Sequence, residues 1–157
     1  PFWDWASDHN IPDVVASQKI TVKVPSTTFS TGSAWITVDN PLYTYKMGAL
    51  STAQFPTNDP NDGQIARYSF TVRQPTSTAS NAASNDGQSN TALSRLNLKG
   101  NIYSLLTGNV AYYQMASQNN PGISLEAIHG NVHVAVGGNG HMTQLSYAAF
   151  DPIFFLH

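Results

Sequence analysis

The chain has 157 residues, a length that suits one domain with a substantial core. Only 10% of the residues are charged and the formal net charge is −2, so the chain lacks the clustered Lys and Arg that nucleic acid or an anionic membrane surface requires. Cysteine is absent, which excludes disulfides and thiolate metal sites and leaves histidine for any soft-metal chemistry. No targeting pattern or membrane-spanning apolar run is recognised, so cytoplasmic and secreted locations both stay open.

The first half of the chain predicts short extended elements. Apolar and polar residues alternate over residues 20–24 and again over residues 34–38, which predicts two strands joined by the turn-rich residues 26–33. Residues 68–72 also look extended. We therefore expect only a small amount of β-structure.

The middle of the chain changes character twice. Residues 74–90 are almost wholly Ser, Thr, Ala, Asn and Gly, which predicts a mobile surface loop that is too polar to pack. From residue 93 to 115 the apolar residues recur with a period near 3.6, which predicts helix, with Gly100 and Gly108 as interruptions.

The last third predicts two further helices. Ser124 stands where an N-cap belongs, ahead of a helix from Leu125 to about Val136 that ends at a Gly-Gly pair. Asp151 and Pro152 form an N-cap and first-turn pair that opens the final helix.

Two histidines on the first of these helices are candidate metal ligands. His129 and His133 are four residues apart, so they share one helix face with Cβ atoms roughly 5–6 Å apart. Two imidazoles in this arrangement can bind one ion, and imidazole without thiolate or carboxylate suits copper or zinc. The alternative is a pair of partly buried histidines that only make hydrogen bonds.

Four motifs carry a resemblance to a known family. They are FWDW at residues 2–5, HGNVH at 129–133, GGNGHM at 137–142 and FDPIFFLH at 150–157. The last three resemble the second-copper signature of tyrosinases, catechol oxidases and molluscan-type haemocyanins. The first is similar to the aromatic-Trp-Asp-Trp motif that follows the first copper region in this family. The resemblance therefore anchors both ends of the chain, while the middle matches only loosely.

The resemblance implies a fold and an activity. The expected fold is mainly α, a helical bundle with inward-facing histidines, short extended segments and long loops. Residues 1–157 would form part of a single copper domain, incomplete at both ends. The implied activity is oxidation of o-diphenols to o-quinones by dioxygen, with two coppers in the intact protein. This chain would supply ligands to the second copper only, and the upstream part of the same protein would supply those of the first.

The resemblance also implies roles for individual histidines. His129 and His133 match two ligands of the second copper. The family pattern places the third ligand one residue beyond His157, which would make His157 its neighbour; the alternative is that His157 is itself the ligand. His9 is expected at the surface, and His141 in a wall near the active-site entrance or at the surface.

Two further positions bear on the reaction. Some family members keep a Glu at the position of Glu126 which, with an Asn after the first histidine, holds a water proposed to deprotonate monophenols. This chain has Gly130 at that second position, so the resemblance implies that diphenol oxidation exceeds monophenol hydroxylation. Glu126 can equally be a carboxylate that the helix dipole favours near an N-terminus.

The final motif has structural interpretations as well. Asp151 is expected to act as an N-cap, and the apolar side chains that follow it or precede it are expected to pack in the core around the metal: Phe150, Phe154, Phe155 and Leu156. Two other functions stay open for the whole chain. One is a haemocyanin-like oxygen carrier, and the other is an inactive paralogue or structural fragment.

Overall fold

The computed structural model describes residues 2–25, 34–48, 50–59, 63–119 and 122–157. The predicted turn at residues 26–33 lies outside these residues. The helices are α1 (Asp13–Ala16), α2 (Gly63–Arg67), α3 (Asp86–Ser94), α4 (Leu98–Thr107), α5 (Tyr112–Ala116) and α6 (Leu125–Gly137), and the strands are β1 (Lys19–Val24) and β2 (Ala34–Asp39). Three short 3₁₀ helices follow α6, at His141–Thr143, Ala148–Phe150 and Pro152–Phe155. None of the helices in the described ranges is long and apolar enough to cross a membrane.

The two predicted strands form an antiparallel hairpin. Lys19 pairs with Asp39 at one end of the ladder and Val24 pairs with Ala34 at the other. Alternate residues of each strand are half-buried, so the apolar side chains share one face, as the alternation predicts. Of residues 68–72, only Phe70 makes a β-bridge, so that expected element is much shorter than predicted.

The expectation of a loop over residues 74–90 is wrong for its last part. Helix α3 begins at Asp86, where the side chain of Asn85 caps it. Ser89 is fully buried against α6, and its hydroxyl donates to the carbonyl of Val136 at 3.0 Å. A short polar side chain can pack in a core when its polar atom finds a partner. The mobility of the preceding residues stays a prediction.

The predicted helical region from residue 93 to 115 contains the end of α3 and all of α4 and α5. Gly108 follows the last residue of α4, as expected, but Gly100 lies inside that helix and does not interrupt it. A single glycine costs a helix roughly 1 kcal/mol relative to alanine. The burial of Leu98 and Leu105 on the same helix outweighs that cost.

The core lies around α6. Ile128, Val132 and Val136 are buried along this helix, which packs against α3, α4, α5 and the 3₁₀ helix His141–Thr143. The main cluster of buried apolar residues also draws on Trp3, Ile11, Val15, Leu93, Leu98, Leu105, Ala135, Met142, Ala148 and Ile153. The mainly α architecture predicted from the sequence is therefore confirmed.

The aromatic residues of the last motif are not all in this core. Phe155 is 73% exposed and Phe150 is 44% exposed, which corrects the expectation that both pack around the metal. Phe154 is half-buried, and its ring centroid lies 5.9 Å from that of His133 and 5.3 Å from that of His157. The apolar cover of the histidines in the described part of the chain therefore includes one phenylalanine of this motif rather than three.

Candidate metal centre

Helix α6 places His129 and His133 on one face. The helix starts where the Ser124 hydroxyl accepts a hydrogen bond from the Ala127 amide at 3.1 Å. It ends at Gly138, whose φ of +56° is a conformation that favours glycine. Between these ends the two imidazole centroids lie 4.7 Å apart, so the spacing of four residues brings the side chains together as predicted.

His157 reaches the same point from the end of the chain. Asp151 accepts a hydrogen bond from the Ile153 amide at 3.2 Å and caps Pro152–Phe155, which is a 3₁₀ helix here. This turn brings the Nε2 atom of His157 to 2.7 Å from Nε2 of His129 and 3.0 Å from Nε2 of His133. The structure therefore brings His157 together with the two predicted ligands, as expected if His157 is itself the third ligand or stands next to it.

The hydrogen bonds on the far side of two rings indicate which nitrogen carries the hydrogen in each neutral ring. His133 Nδ1 lies 2.6 Å from the carbonyl of Met142, and His157 Nδ1 lies 2.8 Å from the carbonyl of Phe154. A carbonyl oxygen only accepts, so Nδ1 carries the hydrogen in both neutral rings. Both Nε2 atoms then present bare lone pairs to each other at 3.0 Å. Such a contact is repulsive unless a cation or a shared proton lies between the nitrogens.

The separations suit a small ion bound by nitrogen. Metal–nitrogen bonds of about 2.05 Å at tetrahedral angles place the ligand atoms about 3.3 Å apart. The two Nε2 pairs here, at 2.7 and 3.0 Å, lie about 0.6 and 0.3 Å closer than this, so the rings would have to move apart by about that much to admit an ion. A ring that binds a metal through Nε2 while Nδ1–H donates to a backbone carbonyl is a common arrangement in metal sites. The residues present therefore fit a copper ion.

Burial lowers the pKa of two of these histidines. It lowers the pKa of His157 to about 4, and the neighbouring His133 adds to this effect. The pKa of His129 is lowered for the same two reasons, burial first and His133 second. Because a metal ligand must be deprotonated, a lowered pKa at His129 and His157 favours the form that binds an ion.

A cleft of about 560 Å³ opens beside the histidines. Most of the residues that line it are apolar or aromatic, and two are the histidines themselves: Trp5, Tyr112, Met115, Ala116, Leu125, Glu126, His129 and His157. This composition suits a small aromatic molecule, because ligand sites combine apolar walls with a few convergent polar groups.

Glu126 and Gly130 occupy the positions that the sequence predicted, on the first and second turns of α6. Glu126 is exposed at the cleft, and its Oε2 accepts a hydrogen bond from the Gln118 amide at 2.8 Å. One of its oxygens therefore holds the segment after α5. A Cβ added at Gly130 would have no atom of the described residues within 4 Å, so there is room for a side chain at that position.

The other two histidines lie outside the cluster. His9 is half-buried. His141 is fully buried, which corrects the expectation of a wall or surface position. Its Nδ1 accepts a hydrogen bond from the Val72 amide at 3.1 Å, and burial lowers its pKa to about 4. It therefore acts as a neutral structural group.

Sequence reasoning missed one buried charge close to this region. Arg73 is fully buried, with its Nε 3.6 Å from a carboxylate oxygen of Asp151. A signal for it existed in the sequence, since this arginine directly follows the extended-looking residues 68–72 in a chain with few charges. Its partner, 78 positions later, could not be identified from the sequence.

Comparisons with known proteins relate this chain to tyrosinases. The model of the common central domain of tyrosinase matches residues 1–157. A tyrosinase of Neurospora crassa is 31% identical over the whole chain, which covers 23% of that protein. A segment of 37 residues is 54% identical to a haemocyanin of Megathura crenulata and covers 1% of it.

A solved structure shows the same fold. The copper-bound active tyrosinase of Aspergillus oryzae, in a mutant form, superposes with a TM-score of 0.78 at 22% identity, covering 100% of this chain and 48% of that one. The chain spans only 23–28% of the length of the curated relatives that it matches from end to end. The match of the family model over all 157 residues shows that this chain belongs to the tyrosinase family, as part of its common central domain.

Proposed function

We propose that this chain is the second-copper part of a dicopper phenol oxidase that converts o-diphenols to o-quinones with dioxygen. One observation carries the proposal: the Nε2 lone pairs of His133 and His157 face each other at 3.0 Å, with His129 beside them, an arrangement that a bound cation stabilises. Membership of the tyrosinase family supports copper as that cation.

Each residue of the centre has a defined task in this proposal. His129 and His133 hold the ion through Nε2, and the carbonyl of Met142 fixes the ring of His133. Phe154 packs against His133 and keeps water from that side. Copper supplies the redox chemistry by which dioxygen removes two electrons and two protons from each diphenol. The ligands of the other copper come from the upstream part of the same protein.

His157 is the position at which two interpretations differ. Its Nε2 lies in the cluster, which supports a role as the third ligand, whereas the family pattern places that ligand one residue later. Replacing His157 by Gln in the intact protein separates the two. If His157 is a ligand, the second site loses copper; if it is a neighbour, copper content stays unchanged and only the reaction rate falls.

The cleft supports small phenols as substrates, with diphenols preferred. Oxidation of a diphenol needs only the loss of two electrons and two protons, which dioxygen takes up, whereas a monophenol must also be hydroxylated and first needs a positioned base to remove its proton. A water held by Glu126 alone would lack the amide partner that other family members offer. Gly130 provides none, and one oxygen of Glu126 already binds the Gln118 amide.

Copper binding tests the proposal. The 157-residue chain is expected to bind at most one copper, measured by metal analysis after dialysis. In the intact protein, His133→Ala should abolish catechol oxidation while the circular dichroism spectrum is retained, and His9→Ala is the matched control that should change neither. Two tightly bound coppers in the isolated chain, or normal turnover in the His133 variant, would contradict the assignment.

An oxygen carrier is the second candidate, because the short match to a haemocyanin is 54% identical. The two functions differ in one measurement. A phenol oxidase consumes oxygen continuously when catechol is added, whereas a carrier binds oxygen reversibly and shows no sustained consumption. Sustained consumption by the intact protein would therefore reject the carrier.

A further inference from the structure

Arg73 is the hub of a buried charged cluster that links four separate parts of the chain. One of its terminal nitrogens donates to the carbonyls of Val15 at 3.1 Å and Tyr43 at 2.7 Å. Its Nε lies 3.6 Å from Asp86 at the start of α3 and 3.6 Å from Asp151. The arginine and Asp151 are fully buried. Arginine and aspartate are rarely fully buried unless they are paired with each other or with other polar groups.

Asp151 connects this cluster to the metal centre. One carboxylate oxygen faces Arg73, and the other accepts the hydrogen bond from Ile153 that starts the turn Pro152–Phe155. That turn ends next to His157, whose ring is held by the carbonyl of Phe154. A shift of Asp151 therefore moves the whole turn that carries His157.

Val72 and Gln74, on either side of Arg73 in sequence, hold the other element that carries histidine ligands, helix α6. The Val72 amide donates to Nδ1 of His141 at 3.1 Å, and the amide of His141 donates back to the Val72 carbonyl at 3.1 Å. Gln74 donates to the carbonyls of Gly137 and Ala135 at 2.9 Å each. These bonds hold the end of α6 against the 3₁₀ helix that contains Met142.

Met142 connects these contacts to the three histidines of the metal centre, because its carbonyl orients the ring of His133. Residues 72–74 therefore contact both of the elements that bring histidines to the centre. From α6 comes His133, and from the final turn comes His157. Two short 3₁₀ helices, His141–Thr143 and Ala148–Phe150, join the two elements in sequence, and the contacts of residues 72–74 add a second connection between them.

We propose that Arg73 is a positioning residue that fixes the final turn relative to α6 and thereby sets the geometry of the second copper site. The proposal rests on the proposed function only in taking copper as the ion. A guanidinium suits the task because its planar, rigid fork can bind carbonyls and carboxylates at once in fixed directions.

The test uses the intact copper protein. Arg73→Met keeps much of the side-chain volume and removes the charge, while Arg95→Met changes an exposed arginine and is the matched control. Two quantities are measured: copper affinity by titration, and the ligand-field spectrum of cobalt substituted at the second site. The cobalt spectrum reports the geometry of the ligands, so a uniform loss of stability does not change it while the protein stays folded. Arg73→Met is expected to weaken copper binding about 10–100-fold and to shift the spectrum, whereas Arg95→Met should do neither.

A second variant decides the case if Arg73→Met fails to fold. Asp151→Asn keeps an N-cap and removes only the charge that faces Arg73. It should shift the spectrum in the same direction. An unchanged affinity and spectrum in a folded Arg73→Met protein, or in Asp151→Asn when the first does not fold, would overturn the positioning role. Failure of the unmodified protein to bind copper would instead overturn the proposed function.

Discussion

Placing an amide side chain after the first histidine should change the balance between the two phenol reactions. The perturbation is Gly130→Asn in the intact copper protein, with Gly130→Ala as the matched control. A Cβ at this position meets no atom of the described residues within 4 Å, so neither variant should strain α6. Because glycine disfavours helix, alanine should raise the free energy of unfolding by up to about 1 kcal/mol and asparagine by a few tenths.

The expected change in rate follows from general-base catalysis. Assistance by a positioned base is worth about 10²–10⁴-fold, or about 3–5 kcal/mol of barrier. Glu126 is exposed, and one of its oxygens already accepts the Gln118 amide, so a water held between it and the introduced amide side chain would be only partly ordered. We therefore expect the lower end, an increase of about 10²-fold in the ratio of monophenol to diphenol rates.

Initial rates with tyramine and dopamine measure that ratio, and urea unfolding measures stability. The alanine control should gain stability without any change in the ratio. The reasoning about Gly130 is wrong if the asparagine variant raises the ratio of monophenol to diphenol rates no more than the alanine variant does. It is also wrong if the unmodified protein already hydroxylates tyramine as fast as it oxidises dopamine. The assignment of the copper ligands would still stand after that outcome.

Three further predictions concern stability. Burial lowers the pKa of His141 to about 4 from 6.5, so the folded state resists protonation of this ring. This group should therefore raise the free energy of unfolding by about 3 kcal/mol as the pH rises from about 4 to 6.5. In urea unfolding, His141→Asn should lose that increment, whereas the control His9→Asn should keep it. Ser124→Ala removes the N-cap of α6 and should cost about 1 kcal/mol in the same assay; no change would show that the cap contributes nothing. Gly140→Ala would place a methyl group against the Val72 carbonyl and should cost about 1–3 kcal/mol, and unchanged stability would show that the backbone yields freely.

Several elements followed directly from local sequence. The N-cap at Ser124, the apolar periodicity and the glycine pair placed α6 almost to the residue, and the spacing of four placed His129 and His133 on one face. The alternation in the first half placed both strands within a residue or two. These features depend on neighbours within one or two turns of the chain, so the sequence alone determines them.

The tertiary structure decided what depends on distant residues. Ser89 is polar, yet it packs because the Val136 carbonyl lies where its hydroxyl can reach, which no local pattern reveals. His141 is buried for the same kind of reason, through its bonds to Val72. In both cases a buried polar atom, the Ser89 hydroxyl or Nδ1 of His141, is bound by a partner far along the chain.

The features of the metal centre also fall into these two groups, those set by local sequence and those set by tertiary structure. The sequence by itself determined that His129 and His133 converge and that their motifs belong to a copper family. Only the tertiary structure placed His157 within 3.0 Å of His133 and aimed both Nε2 lone pairs at one point. That arrangement depends on the Asp151 cap, on Arg73 beside it and on the Met142 carbonyl, which are brought together by packing rather than by helix periodicity.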